Sequence, residues 1–340
     1  MKNYKLIPLL AVTAFLAGCN VNNASSTKAP SFAKMGKEVT YSEFTEAYTP
    51  ELLGAWADHE HQHTPSCVVK LDRSQEMYAK LDSKKGLGML MKMVQKENVT
   101  VKADMNNLLL STEGKGTAIT EGKQADDYGR IVKTNSSETV NYDTMLQYST
   151  LHNDQTDADE QWLLQVDNAT KMYDKKKNVT SYANDEKQAL MEDKAFDLAE
   201  DNVLPDLLDE TLNQYQGLSP VEKEDYKFYI NNKIFTVTYS SEYTEPYVDG
   251  NNEVRVLYNY KVESKIQLDV TNGESFKFKV ALKMDMDVKA YKDFVEDEMA
   301  MFAGDTGVFH QYQFANADVK VQDVKLNPVD ISNYHVNNTL

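Results

Sequence analysis

VRVLYNYKVESKIQLDVTNGESFKFKVALKMDMDV, residues 254–288, alternates with a period of two over its whole length. Val254, Val256, Tyr258, Tyr260, Val262, Ile266, Leu268 and Val270 share even parity. After Thr271-Asn272-Gly273, Phe276, Phe278, Val280, Leu282, Met284, Met286 and Val288 are even as well. The odd positions carry most of the charge: Arg255, Lys261, Glu263, Lys265, Asp269, Lys277, Lys279, Asp285 and Asp287. Successive strand side chains point to opposite faces, so the stretch reads as a long hairpin with one apolar and one wet face. A two-residue loop would pair even with odd positions and set the two apolar rows on opposite faces. The pattern therefore predicts a bulged three-residue turn with Gly273 left-handed, pairing Leu268 with Phe276 and Ile266 with Phe278.

Further strands lie on either side. Phe235, Val237 and Tyr239 predict a strand joined to the hairpin through Asp249-Gly250. Upstream, Val99, Val101, Ala103 and Met105 alternate with polar residues; Val140, Tyr142, Leu146 and Tyr148 share one parity, as do Trp162, Leu164 and Val166. With a strand from Met172 to Tyr182 these read as an antiparallel meander. Helices are predicted over 38–63 (Phe44, Tyr48, Leu52 and Trp56 at i, i+4), 73–97 (Met77, Leu81, Leu87, Leu90, Met91, Val94), 185–216 with a break at Pro205, and 289–302. A closing strand falls at 317–326. The fold class expected is α+β: a strongly curved antiparallel sheet, an open half-barrel, with helices covering its concave face.

At the other end of the chain, Lys2 and Lys5 precede an apolar run from Leu6 to Ala17. The run is too short for a mature membrane span and reads as a signal-peptide core. It ends in Leu16-Ala17-Gly18-Cys19, which resembles a bacterial lipobox. The resemblance implies cleavage before Cys19, lipidation of the Cys19 thiol and export. The expected organisation is a leader at 1–18, a flexible Asn- and Ser-rich tether at 19–36, and one domain at 37–340. The membrane is then a partner through Cys19, on the extracytoplasmic face. In a two-membrane cell, Asn20 after the cysteine permits outer-membrane sorting.

The formal net charge is −17 at neutral pH. Such a chain repels phosphate backbones, so nucleic acid is not expected as a partner. The chain has two cysteines. With Cys19 acylated, Cys67 has no partner in the chain and the fold rests on its core.

The order helix, meander, helices and long hairpin, behind a lipobox, resembles the LolA/LppX-like superfamily of envelope lipoproteins and lipoprotein carriers. The resemblance implies an inner face that holds acyl chains or another hydrophobic molecule. The chain is longer than the smaller carriers and itself anchored, which favours a stationary binder over a shuttle.

His59-Glu60-His61-Gln62-His63 matches the zinc-protease pattern H-E-x-x-H, with Glu60 in the place of the general base. Pro65 stops a helix too soon after it, and Ser66 and Val69 stand where an extended motif needs glycine and a third histidine. No enzymatic activity is expected. The same segment offers a milder chemistry: His59, His61, His63 and Cys67 are suitable ligands for zinc or copper, and half of the six histidines fall here. Methionines cluster at Met89, Met91 and Met93, at Met284 and Met286, and at Met299 and Met301. Methionine adapts to an irregular apolar partner, whether core or ligand. Three functions follow as expectations: binding of a hydrophobic or lipid-like molecule, metal binding, or a surface interaction module whose sheet is merely filled.

Overall fold

A computed structural model describes residues 29–56, 66–83, 86–104, 107, 109–125, 130–153, 157–167, 178–182, 205–248, 251, 254–272, 275–290, 306–332 and 335–338. In chain order its elements are β1 (Lys37–Val39), α1 (Tyr41–Trp56), β2 (Cys67–Ser83), β3 (Gly86–Asp104), β4 (Leu109–Ala125), β5 (Ile131–Asn153), β6 (Ala158–Asp167) and β7 (Asn178–Tyr182). Then come α2 (Pro205–Gly217), α3 (Pro220–Lys223), β8 (Tyr226–Asn231), β9 (Ile234–Val248), β10 (Val254–Asn272), β11 (Ser275–Ala290), β12 (Thr306–Val321) and β13 (His335–Asn338).

The strands form one thirteen-stranded sheet in the order β1-β8-β9-β10-β11-β12-β2-β3-β4-β5-β6-β7-β13. Each pair is antiparallel except β13, which runs parallel to β7. This corrects the α+β expectation. Residues 73–83 and 86–97 lie in β2 and β3, not in a helix, and among the described residues the helices do not roof the sheet. α1 packs on β8 and β10 at one side. The misreading has a physical cause. Apolar residues occupy both faces of β3, with Met89, Met91 and Met93 on one and the buried Val94 on the other. Strand alternation was thereby blurred into a helical stripe, and pairing with long neighbours overrode the helix propensity of Met, Leu, Lys and Glu.

The hairpin keeps the expected parity with a different register. Leu268 faces Phe278 and Ile266 faces Val280, even against even, while Asn272 faces Ser275. The extra residue is absorbed between Asp269 and Asn272 within β10. There Asp269 accepts hydrogen bonds from the Thr271 amide (3.0 Å) and hydroxyl (2.6 Å). β9 joins as expected, with Phe235 opposite Leu268 and Val237 opposite Ile266. Of the expected helix at 38–63, residues 38–39 belong to β1 and 57–63 lie outside the described residues, while Tyr41–Trp56 is α1. It starts in a capping box: the Thr40 amide donates to Glu43 Oε2 at 2.7 Å and the Glu43 amide to Thr40 Oγ1 at 3.3 Å. Of the expected 185–216 helix the described part is α2, and the predicted 289–302 helix lies outside the described residues beyond Ala290. The closing strand begins earlier than predicted, at Thr306.

One face of the sheet, the inner face, carries the main core. Phe44 and Tyr48 of α1 and Leu208 and Leu212 of α2 pack with Phe235, Leu268, Phe278, Val319, Leu71 and Val101. The Phe44 ring stands edge-on to Phe235 at 5.7 Å. The outer face is crossed by the arm before β1 and by the segment after β12. Gln267, buried on that face, accepts from the Ala33 amide (2.7 Å) and donates to the Ala33 carbonyl (3.1 Å) and to Thr236 Oγ1 (2.9 Å). Lys279 Nζ donates to the Ser31 carbonyl at 2.6 Å. Ser31 and Ala33, read from sequence as part of the tether, are thus bonded to β11 and β10, and the Lys34 carbonyl accepts from Asn231 of β8 at 2.9 Å. At Gly36 (φ +86°) the chain turns from this arm into β1; a Cβ there would stand 2.3 Å from the Ile230 carbonyl oxygen. The segment after β12 is clasped in the same manner. Gln147 exchanges two hydrogen bonds with Val329 (2.7 and 3.0 Å), and Asp104 accepts from the Leu326 amide at 2.8 Å.

Candidate functional site

Beyond the core, the inner face is ordered in rows that the register fixes. Nearest the core, Val280, Ala315, Arg73, Glu97 and Gly116 lie side by side across β11, β12, β2, β3 and β4. Arg73 Nε and Nη2 both reach Glu97 Oε2 at 2.8 Å, and the Glu97 side chain is almost wholly buried. Tyr142 donates its hydroxyl to Glu97; burial, then that bond and the carboxylate's charge, hold its phenol well above the ordinary range. The ring lies beside Gly116, opposite Glu97, at ordinary contact distance: its edge would stand 3.5 Å from a Cβ there. The charges close on each other, and the row carries no spare cation.

The next row is Leu282, Gln313, Gln75 and Gln95. The three glutamines are side by side on adjacent strands. Gln313 is buried, and its Nε2 has no hydrogen-bond partner.

Past the glutamines the face turns apolar again. Met284, Gln311, Met77 and Met93 make one row; Tyr260, Met286, Phe309, Ala79 and Met91 the next; Tyr258, Val288, Gly307, Leu81 and Met89 the last. Val256, Met286 and Val288 form a second buried cluster, flanked by half-buried Tyr247, Tyr258, Tyr260 and Phe309. Met77, Met89, Met91, Met93 and Met284 are also only half-buried. Tyr243 and Tyr260 stack at 4.8 Å. Burial, followed by the charge of Glu245 and the neighbouring tyrosines, pushes the Tyr260 phenol up to about 12, so this ring stays neutral at any physiological pH.

Sequence reasoning singled out Met89, Met91, Met93, Met284 and Met286, and the sheet sets all five on one face. Met299 and Met301 lie outside the described residues. The glutamine row and the Arg73–Glu97–Tyr142 group were missed. Their signal was the odd-numbered polar residues of 73–97, hidden by the helical reading. Of the expected metal ligands, His59, His61 and His63 lie outside the described residues, as does the lipidation residue Cys19. Cys67 opens β2 inside the main core, and burial pushes its thiol up to about 11. Among the described residues no group of three or more His, Cys, Asp or Glu side chains is placed to hold a metal ion. No helix among them is long and apolar enough to cross a membrane.

No protein-family model matches the chain, and no curated protein matches it. Among solved structures it is similar to the outer membrane protease OmpT of Escherichia coli, at 7% identity and a TM-score of 0.22, over 76% of this chain and 98% of that one. Pseudomonas putida OprB is similar at 6% identity and a TM-score of 0.23, over 74% and 92%. Pseudomonas aeruginosa OccK7 is similar at 6% and 0.21, over 74% and 98%. Superposition at this level carries no argument about fold closure, location or activity.

Proposed function

We propose that this chain is a membrane-anchored extracytoplasmic lipoprotein that holds a hydrophobic or lipid-like molecule, without catalysis, on the distal half of its inner face. The observation that carries the reading is the field of half-buried methionines and aromatics around Met286, separated from the main core by polar rows. A contiguous apolar surface is costly to leave wet, and each side chain fully covered contributes roughly 1.5–3 kcal/mol. Methionine suits a partner of variable shape, because its unbranched thioether repacks at little cost. The location rests on the lipobox-like end of the leader at Cys19. The acidic surface argues against a polyanionic partner.

The test uses the chain from Asn20 onward, without lipid, and the fluorescent apolar probe N-phenyl-1-naphthylamine. The folded protein should bind the probe saturably. Met91→Glu and Met284→Glu should each weaken binding about tenfold or more, because each sets a charge in the apolar field. No saturable binding, or affinity unchanged in both variants, would remove this function.

A further inference from the structure

We propose that the molecule held on this face is a neutral amphiphile, and that its uncharged oxygen-bearing head group accepts a hydrogen bond from Gln313 Nε2. The inference rests on the hydrophobic-ligand reading and adds the chemistry of the polar end. Gln313 is 8% exposed and its amide nitrogen is unpartnered. A buried donor without an acceptor is costly, and few persist in a folded protein without a role. The side chain lies on the inner face, by parity with the buried Ala315, Ala317 and Val319 of the same strand. Gln75 flanks it, and Met284 and Gln311 form the row beyond. Amide donors therefore sit where the apolar field ends, so a molecule lying on the methionines brings its polar end to the glutamines.

Electrostatics selects the head group. The only cation of the adjoining row, Arg73, is already bonded through two nitrogens to Glu97. A carboxylate or phosphate at Gln313 would lose its water and gain no counter-charge, with the Glu97 carboxylate one row away. An ester or amide carbonyl, or a hydroxyl, would meet the donor without that cost.

Three probes of equal chain length separate the possibilities: 1-monomyristoylglycerol, myristate and tetradecane. Each is used to displace N-phenyl-1-naphthylamine from the chain beginning at Asn20. The neutral monoglyceride should displace the dye at a concentration roughly tenfold lower than myristate at pH 7.5. Gln313→Met, similar in volume and expected to fold because it removes an unpaired donor, should abolish that advantage while tetradecane displaces as before. Gln75→Met serves as a second variant in the same row and should reduce the advantage in part. Equal potency of monoglyceride and myristate, or an advantage that survives Gln313→Met, would overturn the head-group assignment while leaving apolar binding in place. Failure of all three probes and of the dye would overturn the apolar reading itself, and this inference with it.

Discussion

Cys67 shows how a single side chain is governed by its surroundings. It faces Ala103 on one neighbouring strand and Val321 on the other, within the main core. Desolvation raises its thiol from 9.0 to about 11. A raised acid stays protonated in the folded chain while the unfolded chain begins to ionise. Its contribution is therefore intact below the ordinary thiol value and is lost as pH rises through about 11. Two units correspond to roughly 3 kcal/mol. Urea midpoints measured at pH 8 and near pH 11 should fall further for the wild type than for Cys67→Val, which has nothing to ionise at that position. Equal falls would mean that the thiol is not desolvated. The same burial makes Cys67 a weak ligand by itself, since metal binds the thiolate.

At the scale of elements, the hairpin of β10 and β11 tests whether parity or loop length governs the fold. Parity was legible in sequence, because the even-numbered rows had to share a face. The place of the odd residue was not. It sits in a bulge held by Asp269 and Thr271 rather than in the loop, and that hydrogen-bonding preference leaves no trace in hydrophobic periodicity. The same limit explains β2 and β3. Their inner faces mix Met77, Gln75, Arg73 and Leu71, so neither face is purely apolar, and the alternation that exposed β10 and β11 is absent. α1 was readable because Phe44 and Tyr48, both buried, stand four residues apart. The methionine half of the candidate site was visible as composition, whereas its polar half depended on strands that were not recognised. Two changes at the hairpin separate the effects. Deleting Ser264, in the middle of β10 and away from bulge and loop, turns Val256, Tyr258 and Tyr260 to the outer face; far-ultraviolet circular dichroism and urea unfolding should show the native fold lost. Inserting two glycines between Gly273 and Glu274 preserves parity and should cost only about 1 kcal/mol. The opposite ranking would show that loop length, not face parity, sets the register.

For the whole molecule, the segments around Ala33 and around Leu326 to Val329 lie on the face opposite the candidate site. Gln267 clasps the arm at Ala33, and Gln147 and Asp104 clasp the segment at Val329 and Leu326. Between Cys19 and the first clasped residue, Ser31, the chain has a reach of about 40 Å when fully extended. If Cys19 carries the lipid, the sheet is tied to the bilayer through its outer face, at the end of β10 and β11 near Asn272. The methionine rows then lie toward the other end of those strands and on the other side. The net charge of −17 adds repulsion from anionic head groups rather than attraction. On the proposed reading the lipid supplies the attachment, and since one acyl chain binds a membrane only weakly, stable retention requires more than one. Mass spectrometry of the membrane fraction should find an N-terminal peptide that begins at Cys19 and carries acyl mass. Cys19→Ser should leave residues 1–18 uncleaved and that peptide absent. A site-specific protease sequence placed at Ala24-Ser25 should, once cut, release a folded domain into the soluble fraction with its probe binding unchanged. A cut domain that stays on the membrane would mean that the sheet itself contacts lipid. A Cys19→Ser chain processed and retained like the wild type would mean that the anchor is elsewhere.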